Sequence, residues 1–153
     1  TPRTLSLIII GKKGWLYEEI LEAPKKFGIK DRVKFLDFVS DEDLPFFYQN
    51  ALCFVLPSLY EGFGLPLLEA FSRELPVVAT RTQALVEVGG DACVYVDPKD
   101  SRDMARGIIK VAKSKKLAGQ LVKKGKARLK NFSWEKAARE TFAVYERTYS
   151  QKV

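Results

Sequence analysis

The sequence has no histidine at all and, in 153 residues, only two cysteines, one methionine and two tryptophans. The missing histidine excludes Ser-His and Cys-His nucleophile pairs, removes the usual general base at neutral pH, and takes away the ligand that most zinc sites need. Any chemistry must rest on carboxylates, amines or oriented backbone amides. Cys53 in LCFVL and Cys93 in ACVYV stand alone inside apolar runs without CxxC spacing. They read as buried thiols of a reducing compartment rather than a disulfide. No apolar run approaches the roughly 20 residues of a membrane-spanning helix. The opening TPRTLSLIII is too short in its apolar part for a signal peptide and carries no small-residue cleavage site. These absences give a cytoplasmic expectation. A chain that enters a strand-like run almost at once also reads as a piece of something longer.

Apolar residues make up 46% and charged residues 29%, the balance of a globular protein. The formal net charge of +7 is concentrated in one segment. No acid occurs between Met104 and Trp134, where Lys110, Lys113, Lys115, Lys116, Lys123, Lys124, Lys126, Arg128 and Lys130 crowd together. Three readings stand: a solvated helical face, a contact with a phosphate-rich membrane surface or partner domain, or nucleic acid. Against the last, aromatics are not interleaved with the lysines as base-stacking surfaces require.

Along the chain, apolar runs alternate with helix-like segments. LSLIII (5–10), VKFL (33–36), ALCFVL (51–56), PVVAT (76–80) and ACVYV (92–96) read as strands, mostly continuous rather than alternating, as strands buried on both faces are. WLYEEILEAPKKF, DEDLPFFYQN and LPLLEAFSRE have helical composition, and Pro24 is expected to bend or end the first. Met104, Ala105, Ile108, Ile109 and Ala112 form one amphipathic stripe. Trp134, Ala138, Phe142, Tyr145 and Tyr149 form another, entered through Ser133 as N-cap. No repeat, linker or low-complexity stretch interrupts the pattern. It describes a single α/β domain over residues 1–153, with right-handed βαβ units and a parallel sheet covered on both sides. Ligands of such sheets bind beyond the carboxyl ends of the strands.

The loop after Leu56 runs into EGFGLPLLE, residues 61–69, where two glutamates eight apart enclose two glycines and a proline. A helix starting at Leu65, with Pro66 in its first turn, places Gly62, Phe63 and Gly64 at an N-terminus whose amides lack intrahelical acceptors. That suits a diphosphate. Glu61 and Glu69 can border the same small volume, and carboxylates, as pure acceptors, suit a polyhydroxyl ligand such as ribose or a hexose. The plainer reading has Glu69 favouring the helix dipole and Glu61 free on a loop.

PSLYEGFGLPLLEAFSRELPVVAT, followed by EVGGDACVYVDPKD, closely resembles the C-terminal half of retaining glycosyltransferases of family 4. Their signature is E-x7-E. RVKFLDFVSDEDLPFFYQNA and NFSWEKAARET extend the resemblance over nearly the whole chain. It implies one half of a GT-B fold, a Rossmann-like three-layer sandwich that binds the nucleotide-sugar donor. Glu61 would be the catalytic carboxylate, contacting hydroxyls of the transferred sugar. Gly62, Phe63, Gly64 and Leu65 would offer backbone amides to sugar and diphosphate, Glu69 would hold the ribose, and Phe38 and Val39 would border the base. The resemblance implies hexose transfer with retention, leaning to mannose or a similar sugar, onto a saccharide or lipid in polysaccharide biosynthesis. It implies no cofactor and no metal. The partners implied are the donor and an N-terminal acceptor domain. Membrane-surface contact through the lysines between residues 110 and 130, peripheral at the cytoplasmic membrane, remains an added expectation, and nucleic acid is not expected. Two alternatives stay open: a non-catalytic nucleotide- or polyanion-binding module, and a GT-B-like sugar-nucleotide epimerase.

The chain departs from the family pattern at several points. It lacks the first strand and helix of that half, so the isolated chain is expected to bind weakly and transfer nothing. Asp37 and Glu74 stand where the family has glycines, and Val86 replaces a proline. If position 74 is left-handed, glutamate there costs about 1 kcal/mol. Lys12 and Lys13 do not match the family's diphosphate clamp, and a plain helix entrance is the simpler account of them. Asp41-Glu42-Asp43 has a metal-binding D-x-D form, yet after Ser40 it reads as an acidic capping turn.

Overall fold

A computed structural model describes residues 5–14 and 17–150. The chain divides into two compact units, Thr1–Phe46 and Phe47–Val153.

The first unit pairs strand β1 (Leu7–Ile10) with β2 (Val33–Leu36) in parallel, from Leu7 opposite Val33 to Ile10 opposite Leu36. Between them run helix α1 (Glu18–Lys26) and a 3-10 turn, Lys30–Arg32. Of the expected WLYEEILEAPKKF helix, Trp15 and Leu16 lie outside the described residues. Pro24 does not stop α1 at once, since the helix runs two residues past it. At that position the proline removes one late amide donor only. The last carbonyls of the helix are closed by Gly28 N–H to Lys25 O (3.1 Å) and Ile29 N–H to Pro24 O (2.8 Å), a Schellman ending. Ser40 caps the acidic turn as expected. Its Oγ accepts from Asp43 N–H (3.1 Å) and donates to the Asp43 carboxylate (2.9 Å). Helix α2 (Leu44–Asn50) follows and carries the chain into the second unit.

The second unit holds three parallel strands in the order β3 (Phe54–Leu56), β4 (Val77–Thr80), β5 (Cys93–Val96). Central β4 is buried along its whole length, which accounts for the unbroken apolar run PVVAT. Helices cover both faces. On one, α5 (Ser101–Lys113) lies so close that a Cβ on Gly107 would sit 2.7 Å from Val96 Cγ1. There Val78, Val96, Val111 and Leu121 form a core cluster flanked by Met104 and Ile108. On the other, α3 (Leu65–Ser72) and α4 (Gln83–Gly89) pack: a Cβ on Gly89 would meet Tyr95, Cys93 and Leu67. The stripe of α5 therefore differs from expectation. Met104, Gly107, Ile108 and Val111 turn inward at i, i+3, i+4 and i+7, while Ala105 and Ile109 are exposed.

The lysine-rich segment is helix α6 (Lys115–Leu129), started by Ser114, whose Oγ accepts from Leu117 N–H (3.1 Å). It buries Leu121 and Gly125, the latter against Phe71 of α3, and turns its lysines outward. Helix α7 (Trp134–Ser150) begins at the expected cap, with Lys136 N–H on Ser133 Oγ (3.0 Å). Its aromatic stripe is nevertheless exposed, Trp134 by 80% and Tyr149 by 76%. Among the described residues no helix is long and apolar enough to cross a membrane.

Candidate functional site

The site begins where β3 ends. Thr80, the last residue of β4 and fully buried, donates its hydroxyl to Ser58 O at 2.5 Å, fixing the start of the loop against the neighbouring strand. Ser58 Oγ in turn donates to Glu61 Oε1 at 2.6 Å. The Glu61 carboxylate, partly buried, is thus held to its own loop by one oxygen, and its remaining lone pairs are left for other donors.

Gly64 closes the loop at φ 100° and ψ 46°, a left-handed conformation, and serves as N-cap of α3 with Leu67 N–H on its carbonyl (3.0 Å). Only glycine fits. A side chain would be strained at that φ, and its Cβ would come within 2.5 Å of Leu85 Cδ2 on α4. Pro66 falls in the first turn as expected and needs no amide there. It also subtracts one donor from the helix start, so the amides available to an anion are those of residues 62–65. Glu69 stands four residues after Leu65, on the same helix face and one turn up. Tyr48 Oη donates to Glu69 Oε2 at 2.9 Å. Burial pushes the Tyr48 hydroxyl pKa upward, and its bond to Glu69 and that carboxylate's charge add to the rise. Tyr48 therefore stays a neutral donor at any physiological pH. Its ring also leans on Phe54 of β3, with centroids 5.5 Å apart.

The residues singled out from sequence thus fall into two groups. Glu61, Gly62, Phe63, Gly64, Leu65 and Glu69 share one loop and the helix it opens, all in the second unit. Phe38 and Val39 belong to the first unit, just after β2, with Phe38 74% exposed. Beside them Asp37 pairs with Lys13 at 3.5 Å. Three supporting residues were not singled out beforehand. Ser58 was legible in the PS that flanks the motif. Thr80 was hidden in an apolar strand, and Tyr48, 21 residues before Glu69, carried no sequence signal.

Comparison with known proteins bears on the same segment. The family of glycosyl transferases group 1 matches residues 3–128, and the chain belongs to it. It is 36% identical over 140 residues to the O-antigen chain mannosyltransferase B of Escherichia coli, covering 92% of this chain and 37% of that protein. The chain therefore spans little more than a third of that relative. A sucrose-phosphate synthase from Thermosynechococcus elongatus superposes with a TM-score of 0.84 at 26% identity, over 95% of this chain and 39% of that one. HepE from Anabaena, solved in complex with UDP, superposes with a TM-score of 0.84 at 19% identity, over 95% of this chain and 42% of that one. The α/β architecture, with parallel strands between helices, is that of a Rossmann-like half of a GT-B fold.

Proposed function

We propose that this chain is the donor-binding half of a retaining, family 4 glycosyltransferase that transfers a hexose, mannose or a close relative, from a nucleoside diphosphate sugar to a saccharide or lipid. One observation carries the reading: Glu61 and Glu69 flank the glycine-opened start of α3, and each has one oxygen already tied, by Ser58 and by Tyr48. A carboxylate fixed in this way presents its free lone pairs in a set direction, as hydroxyl recognition requires. The mannosyltransferase relative supports the choice of sugar, and the UDP held by HepE supports a nucleoside diphosphate as the common element.

In this reading the amides of residues 62–65 take the diphosphate, Glu69 the ribose and Glu61 the sugar. The acceptor hydroxyl attacks the anomeric carbon on the face from which the diphosphate leaves. Its proton passes to the departing phosphate oxygen, so neither a protein nucleophile nor a metal is needed, in keeping with a sequence free of histidine. The acceptor is read by the other half of the enzyme. The exposed lysines of α5 and α6 extend the reading to a peripheral contact with anionic lipid, checked by sedimentation with phosphatidylglycerol vesicles at low and at physiological salt.

Calorimetric titration with UDP, GDP and ADP, and with their sugars, tests the reading. One base is expected to be preferred, with weak affinity in the high micromolar to millimolar range, and Glu69→Ala is expected to weaken it about tenfold. Equal binding of all three, indifferent to Glu69→Ala and abolished by moderate salt, would leave a polyanion module instead.

A further inference from the structure

Phe63 is the one large side chain between the two glycines of the loop, and its ring stands edge-on to Phe132, with centroids 5.9 Å apart and planes at 88°. Phe132 belongs to the short connection between α6 and α7, where its N–H bonds to Leu129 O at 3.0 Å. Behind it lies Arg128, whose guanidinium carbon sits 5.3 Å from the Phe132 ring centroid. The same guanidinium donates from Nε to Val88 O at 2.9 Å and from an Nη to Glu87 O, closing carbonyls at the C-terminal end of α4. α4 is also the helix whose Leu85 abuts Gly64. The glycine loop is therefore gripped twice, by Leu85 at Gly64 and by Phe132 at Phe63, and Arg128 ties both grips together. α6 itself is seated on α3 through Gly125 and Phe71, so the strut starts from a packed element.

We infer that Phe132, held by Arg128, is a positioning residue for the donor loop: it pins Phe63 and so holds the amides of residues 62–65 in one arrangement before any ligand arrives. Left without a grip, a segment with glycine on either side of Phe63 would sample many backbone states, and ordering it would fall on the binding step. The inference rests on the proposed donor site, but the strut can be tested apart from it.

The test is backbone nitrogen relaxation across the chain, run beside titration with UDP, GDP and ADP, for Phe132→Ala, Phe132→Tyr and Arg128→Lys. Phe132→Ala is expected to lower the order parameters of residues 62–65, with the interior amides of α5 around Val111 unchanged. Phe132→Tyr, which keeps the ring, is expected to restore the wild-type order. Arg128→Lys keeps the positive charge but cannot bond both carbonyls while stacking on the ring, so it is expected to loosen the loop in the same direction. The preferred nucleotide is expected to weaken in parallel, by about the three- to tenfold change in an equilibrium constant that an edge-on aromatic pair represents. Wild-type order parameters at residues 62–65 in Phe132→Ala, or a fall spread evenly over the molecule, overturns the inference. So does a loosened loop with unchanged affinity. If the wild-type chain binds none of the three nucleotides, that result counts against the donor site, and the relaxation pattern alone then decides whether Phe132 holds the loop.

Discussion

Glu74 holds its backbone at φ 57°, the only non-glycine residue with positive φ among those described. It is the left-handed residue of a Schellman ending on α3, with Leu75 N–H on Ala70 O (3.0 Å) and Glu74 N–H on Phe71 O (3.1 Å). The strain foreseen for this position is present, and it is partly offset by an ion pair with Lys126 at 2.7 Å. Both partners are more than half exposed, so the pair is worth at most a few tenths of a kcal/mol. Glu74→Gly is therefore expected to stabilise the protein by about 0.5 kcal/mol, a rise of about 1–2 °C in melting temperature by calorimetry. Tyr48→Phe removes the donor that orients Glu69 and nothing else. Its expected effect is about 1 kcal/mol of stability in chemical denaturation and a three- to tenfold weaker hold on a ribose-bearing ligand.

At the scale of elements, the five strands were legible as continuous apolar runs, and all five lie within the stretches expected of them. The helices were less so. α4 escaped notice because Gln83, Ala84 and Val86 present no clean stripe, and its helical state depends on Leu85 and Val88 packing under it. The inward stripe of α5 was mis-registered because Gly107, with no side chain to signal burial, marks its closest approach to β5. Of the candidate site, Gly64 was legible because its left-handed backbone demands glycine, and the glutamates because they bracket the same short stretch of sequence. Tyr48 and Phe132 were not, because their partners come from distant sequence.

Two expected outcomes belong to this scale. Gly64→Ala strains the start of α3 and drives a Cβ into fully buried Leu85, which should cost about 2–3 kcal/mol in denaturant unfolding and lose nucleotide binding with it. At the entrance to α5, the Asp97 backbone N–H, bonded at 2.8 Å, is the main cause holding the Asp103 carboxyl below its usual pKa, with Arg106 adding to it. A carboxyl lowered in the folded state contributes stability that is present above its unfolded pKa, about 3.9, and is lost as pH falls through the folded value. Asp103→Asn should therefore lower the melting temperature at neutral pH and flatten its decline below about pH 4.

The whole chain covers little more than a third of its mannosyltransferase relative, and in the proposed reading the acceptor is bound by the part of the enzyme outside it. The chain alone is accordingly expected to transfer no sugar from any labelled donor, and measurable transfer would overturn that part of the account. In the proposed reading this half binds the donor. The charge asymmetry offers a competing surface for any anion, since the lysines of α6 face outward, although Lys124 and Lys126 already pair with Asp91 (2.8 Å) and Glu74 (2.7 Å). Backbone amide shifts recorded while the preferred nucleoside diphosphate is added separate the two surfaces directly. The account expects the largest changes at residues 61–65 and 69, with α6 nearly silent. Changes concentrated along α6 instead, with the glycine loop unmoved, would contradict it.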